Sequence, residues 1–250
     1  MKTKELEIQR DGLTLRGFQT LPETESFDVA VLFHGFLMDC GRTPDSLILQ
    51  MSEALAARGI GTVRLDFAGQ GQSDGASGDM SVLSELLDAS KILQYARSIP
   101  GLRRLYVHGQ SQGGVVASMI AGVYPDWIDK LALTSAAATM VDDAKAGNIM
   151  DGHFDPYAVP ETQNVLGQTI GGFYFRTNQK LPIYEWAANY KGPVCIVHCE
   201  GDAIVNKRAA LRYHEIYENS TLHILPGGNH AMKDDAREPV LKLVADYFTT

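Results

Sequence analysis

One serine in this chain sits where nucleophilic chemistry is feasible. Ser111 lies within VHGQSQGGVV, residues 107–116, between glycines at 109 and 113 with a third at 114. Residues 104–109 read as a strand and 112–123 as a helix, so G-Q-S-Q-G occupies a sharp strand-to-helix turn. Such a turn presents Ser111 at its tip and drives its backbone toward a strained region. Side chains at 109 and 113 would crowd the crossing of strand and helix. The first N–H groups of a helix lack intrahelical acceptors, so the Gln112 N–H is expected to face an oxyanion formed beside Ser111.

A serine hydroxyl needs a base. Of the seven histidines, 108, 198 and 223 fall in strands, 214 on a helix, and 153 in an aromatic segment. His108 and His198 read as satisfied core groups. His230 follows the last strand in LPGGNH, on a glycine-rich loop that can return an imidazole to Ser111. The acid that fixes the imidazole is expected at Asp202 in HCEGD, after the preceding strand, with Glu200 as the weaker rival. The backbone N–H of Phe36, in HGF after an earlier strand, is the candidate second oxyanion donor. Asp66, in DFAGQGQSDG, precedes the serine and reads as a structural turn. That stretch lacks the G-x-x-x-x-G-K-[ST] of a phosphate loop, and no H-E-x-x-H is present. Neither metal nor cofactor is expected.

The elements that must position these residues alternate. A hairpin turning at Asp11-Gly12 comes first, followed by buried strands at 29–35, 61–67, 104–109, 130–136, 193–199 and 221–226. Helices are expected from Pro44 to Gly59 with Thr43 as cap, along the stripe Leu83, Leu86, Leu87, Ser90 and Leu93, and over 112–123, 207–218 and 239–249. This rhythm gives an α/β fold: a mostly parallel central sheet with helices on both faces and its site beyond the strands' carboxyl ends. Residues 137–191 break the rhythm and hold Phe154, Tyr157, Phe173, Tyr174, Phe175, Tyr184, Trp186 and Tyr190. The organisation expected is a core of 1–136 and 192–250 with 137–191 inserted as a lid.

Composition narrows the partners. The net charge of −8, without basic clusters, argues against nucleic acid and anionic membranes. No apolar run reaches the length of a membrane span, and MKTKELEIQRDG lacks an apolar leader core, so a cytoplasmic location is expected. Cys195 and Cys199, four residues apart on one strand, are separated by about 13 Å, too far for a disulfide.

Taken together, HGF, DFAGQGQSDG, GQSQGG, CEGD and GGNH resemble the α/β-hydrolase superfamily across essentially the whole chain, with the order nucleophile, acid, base. SAAATMVDDAKAGN and IGGFYFRTNQKLPIYE are similar to the inserted lid of bacterial cinnamoyl (feruloyl) esterases. The resemblance implies an α/β-hydrolase fold and serine esterase activity on a small aromatic ester, in a homodimer. It also implies that Asp143 and Tyr174 bind the ring hydroxyl. Without it, Tyr174 reads as lid packing and Asp142-Asp143 as a helix cap. Met150 stands where relatives carry a Gln, which leaves the ring-substitution preference open. The same machinery serves lipases, monoacylglycerol hydrolases, thioesterases and peptidases, and the fold also occurs as a binding protein without turnover.

Overall fold

The computed structural model describes residues 1–250. Its first two strands, β1 (Lys2–Arg10) and β2 (Leu13–Leu21), form the expected antiparallel hairpin. Asp11 and Gly12 both take positive φ, 49° and 84°, the requirement of a two-residue turn that follows strand twist. β3 (Phe27–Phe33), β4 (Gly61–Leu65), β5 (Leu102–Gln110) and β6 (Lys130–Thr134) then build the parallel centre. β11 (Val194–Cys199) and β12 (Ser220–Leu225) extend it. The sheet runs β1-β2-β4-β3-β5-β6-β11-β12, with only β1 and β2 antiparallel to their neighbours. This is the α/β-hydrolase arrangement.

Every residue of β3 is buried, because helices cover both faces of the sheet. Val29, Val31 and Phe33 face one layer of core, with α2 (Val82–Arg97) and α3 (Gln112–Val123). The alternating Ala30 and Leu32 face the other, with α1 (Leu47–Ala56) and α8 (Arg237–Thr249). α7 (Arg208–Ile216) packs beside β11 and β12.

Two helices depart from the sequence pattern. α1 begins at Leu47 with Ser46 as its cap, not at Pro44. The Thr43 hydroxyl instead donates to Asp45 Oδ1 at 2.8 Å and the Ser46 N–H donates to Thr43 O, so Thr43–Ser46 is a turn ahead of the helix. On α2, Leu83 and Leu87 are exposed, while Val82, Leu86, Ala89 and Leu93 point inward. Glu85 and Asp88 share that buried face, and an apolar pattern cannot register a carboxylate whose partners lie inside the protein. Asp88 accepts from Arg10 Nε at 2.6 Å and from the Ala68 N–H at 2.8 Å.

Between β6 and β11 the chain leaves the sheet. It forms α4 (Met140–Lys145), a hairpin of β7 (Asn148–Ile149) and β8 (Gly152–His153), and a second hairpin of β9 (Thr162–Val165) and β10 (Gln168–Gly171). α5 (Gly172–Asn178) and α6 (Ile183–Ala187) follow. No helix of the chain is long and apolar enough to cross a membrane.

The tightest point of the fold is the crossing of β3, β5 and α3. A β-carbon on Gly113 would stand 2.4 Å from His34 O and 2.5 Å from Phe33 O, and one on Gly109 would stand 2.1 Å from Gly113 O. These neighbours are backbone and cannot yield as a side-chain tip would. Gly113→Ala is therefore expected to destabilise the protein by about 3 kcal/mol, read as a lowered midpoint of urea unfolding with an unchanged slope.

Candidate active site

Ser111 joins β5 to α3 with φ 55° and ψ −121°, a conformation rarely adopted outside glycine. Its Oγ lies 2.8 Å from His230 Nε2, and His230 Nδ1 lies 2.8 Å from Asp202 Oδ2. Asp202, in the loop after β11, also accepts from the Ile204 and Val205 N–H groups at 2.9 Å each. Burial alone would raise its pKa, but the His230 and backbone donors outweigh that and hold it below the ordinary carboxylate value. An ionised Asp202 accepts from Nδ1–H, which leaves His230 Nε2 as the acceptor for the Ser111 hydroxyl. Glu200 is exposed and paired with Lys207 at 2.9 Å.

The loop after β3 lies against Ser111. A β-carbon on Gly35 would stand 3.1 Å from Ser111 Cβ and 3.5 Å from its Oγ. Phe36 and Gln112 both border the cavity beside Ser111. The Phe36 N–H has no acceptor among the loop hydrogen bonds, and Gln112 opens α3, where no intrahelical acceptor exists. The His34 ring pins this loop. Its Nε2 accepts from the Phe67 N–H at 3.1 Å, so Nδ1 carries the proton and donates to Gly35 O at 2.9 Å.

Asp66 does more than turn the chain. It accepts from the Cys40 and Gln72 N–H groups at 2.6 and 2.8 Å, and from Arg42 Nη2 at 2.7 Å. Burial opposes its charge, but the backbone donors and the Arg42 guanidinium keep its pKa lowered. Arg64 Nη1 donates to Cys40 O and Gly41 O at 2.7 and 2.8 Å. Together they clamp the 36–42 loop. The signal available beforehand was two arginines flanking HGF and LDF, but their convergence depends on β3 and β4 being neighbours.

A cavity of about 430 Å³ opens beside Ser111, walled by Phe36, Ile149, Met150, Leu166 and Phe175 among others. Asp143 borders it half-buried, its pKa pushed up by burial and partly held back by Thr139 and Arg208. The Tyr174 ring lines it too, but its hydroxyl donates to Gln112 Oε1 at 2.6 Å. The strand histidines are only half satisfied: His108 bonds Thr134 and His198 bonds Val205 O, while the Nδ1 of each has no partner. All three cysteines are free and buried.

With this geometry in hand, comparison with known proteins gives four findings. A family model described as serine aminopeptidase, S33, matches residues 24–151, just over half the chain. Est1E from Butyrivibrio proteoclasticus, solved with ferulic acid bound, superposes with a TM-score of 0.92 at 28% identity, covering 98% of both chains. A second Est1E structure gives a TM-score of 0.87 at 26% identity, covering 98% of this chain and 97% of that one. The human serine hydrolase BPHL is 28% identical over 161 residues, 58% of this chain. That match spans 55% of the length of the human protein.

Asp66→Ala strands Arg42 and the 36–42 loop, and is expected to cost about 3–5 kcal/mol at neutral pH. The Asp66 pKa is depressed in the folded state, so its contribution is fully present above the unfolded carboxylate value and fades as pH falls through the folded one. The stability gap between parent and variant in denaturant titrations should narrow in that acid window.

Proposed function

We propose, from the premise that this chain belongs to the serine aminopeptidase S33 family and has the α/β-hydrolase fold, that it is a serine esterase cleaving hydroxycinnamate esters. The hydrogen-bonded line Ser111–His230–Asp202, opening into a largely apolar cavity, carries this reading. A planar phenylpropenoyl group suits aromatic and aliphatic walls with few polar contacts. A protein of the same fold at 28% identity has been solved with ferulic acid, a hydroxycinnamic acid, bound.

In this mechanism His230 Nε2 takes the proton as Ser111 Oγ attacks the ester carbonyl. Asp202 stabilises the imidazolium that forms. The carbonyl oxygen, now negative, is held by the N–H groups of Phe36 and Gln112, whose positions are fixed before the charge develops. His230 returns its proton to the departing alcohol, and the acyl group stays on Ser111. Water, deprotonated by His230, then releases the acid through a second tetrahedral intermediate. Asp143 receives the ring hydroxyl. Tyr174, whose own hydroxyl proton is donated to Gln112 Oε1, contributes its ring to the cavity wall beside the substrate.

Ser111→Ala should lower kcat on ethyl ferulate by about 10⁶-fold with the fold intact. It should also abolish labelling by a fluorophosphonate probe. Faster turnover of a medium-chain p-nitrophenyl ester or an aminoacyl anilide than of ethyl ferulate would overturn the substrate assignment. Absence of any labelling in the parent would favour a binding protein instead. Asp143→Asn should raise KM for ethyl ferulate by about tenfold while leaving ethyl cinnamate, which lacks the ring hydroxyl, nearly unchanged.

A further inference from the structure

The mechanism leaves one buried polar cluster unused. Glu85, on the inner face of α2, is 1% exposed. Its Oε1 accepts from Gln112 Nε2 and from Gln70 Nε2, both at 2.7 Å. The other end of the Gln112 amide, Oε1, accepts from the Tyr174 hydroxyl. Four residues from α2, the loop after β4, the start of α3 and α5 thus meet with almost no solvent access. Glu85 Oε2 and Gln70 Oε1 have no partner, so the cluster is not arranged for stability alone. A well-packed apolar cluster of the same volume would hold the elements together at least as well.

What the polar cluster adds is direction. The Gln112 side chain is gripped at both ends, by a carboxyl behind it and by a phenol from the cavity wall. A residue so gripped has one rotamer, and its backbone at the first position of α3 is fixed with it. That residue follows Ser111 and carries one of the two oxyanion N–H groups. Tyr174, at the opposite end, belongs to the segment whose residues wall the substrate cavity. The phenol, the amide and the carboxyl form a rigid link between that wall and the nucleophile turn.

We propose that Glu85 is a positioning residue for the esterase reaction, acting through the Gln112 side chain to hold the oxyanion N–H and the cavity wall in register. The inference rests on the esterase reading. No cation faces Glu85; its neighbours are neutral amides and the Asp88 carboxylate. Burial therefore pushes its carboxyl up to about 8. A group that works near neutrality through an acceptor oxygen is one that glutamine can replace.

The test compares the full-length parent with Glu85→Ala, Glu85→Gln and Gln112→Met on ethyl ferulate. Active sites are counted by stoichiometric fluorophosphonate labelling, and folding is checked by thermal melts. Glu85→Ala should lower kcat per labelled site by roughly 10- to 100-fold, as expected when a reacting geometry loosens. KM should move less than about threefold, the mark of an interaction made mainly in the transition state. Glu85→Gln should restore kcat to within about threefold of the parent. Gln112→Met keeps the volume and the backbone N–H, and should reproduce the Glu85→Ala loss even where Glu85→Ala does not fold. Adding Glu85→Ala to Gln112→Met should then cost little more. The proposal is overturned by an unchanged kcat per labelled site in Gln112→Met, or by Glu85→Gln falling as far as the alanine variant. It is also overturned by a loss confined to the labelled fraction, which is a folding defect. A parent that neither labels at Ser111 nor cleaves any ester overturns the esterase reading itself, before any variant is compared.

Discussion

The backbone of Ser111 cannot relax. Its φ of 55° and ψ of −121° cost about 1–3 kcal/mol, which neighbouring structure must offset. Four backbone hydrogen bonds do so. The Ser111 N–H donates to Thr134 O at 3.0 Å, and its carbonyl accepts from Gly114, Val115 and Ala137 at 2.9, 3.3 and 3.0 Å. The β5–β6 register, the first turn of α3 and the chain leaving β6 therefore all converge on one residue. Gly113 lets this happen, because α3 starts in direct contact with the last carbonyls of β3. The same contact brings Gly35 and Phe36 beside the hydroxyl. Ser111 and the loop that carries Phe36 are thus set by a single packing event.

The rest of the site follows from sheet order. β6 separates β5 from β11, and β12 lies one strand further out. The loops bearing Asp202 and His230 must reach back across the end of β6 to Ser111. The residues there are Ala136, Ala137 and Ala138, small enough to leave a path. A β-carbon on Gly114 would already stand 2.7 Å from Ala136 Cβ, so bulk at either position would push the helix away. Small residues after β6 are as much a part of the site as the side chains of Ser111, Asp202 and His230.

Much of this was legible because it is local. The G-Q-S-Q-G turn, the Asp11-Gly12 hairpin and the uninterrupted apolar strands each declare themselves within ten residues. The order serine, aspartate, histidine at three strand ends needed only the strand rhythm to be recognised. What stayed hidden is non-local. The inner face of α2 carries Glu85 and Asp88, whose partners come from positions 10, 68, 70 and 112, so reading leucines alone turned the helix toward Leu83 and Leu87. Asp66 looked like a turn former because Arg42 is distant along the chain. Tyr174 reads as a substrate contact from the resemblance, and its bond to Gln112 depends on how α5 lies over α3.

The buried carboxylates also sort themselves by what each must do. Asp202 and Asp66 are surrounded by backbone N–H groups plus an imidazole or a guanidinium, and both are held below the ordinary value. Glu85 has only two side-chain amides and is pushed the other way. Burial is common to all three and to Asp88, which the Arg10 guanidinium and the single Ala68 N–H do not hold down against it, so the number of donors matters as well as their charge. In the proposed reaction Asp202 has to stay charged to fix the tautomer of His230 and to meet the imidazolium, and the Ile204 and Val205 amides meet that requirement without adding a competing cation. A lysine or arginine placed there would stabilise the carboxylate further but would oppose protonation of His230. Backbone dipoles resolve the conflict: they help keep Asp202 ionised without placing a positive charge beside His230.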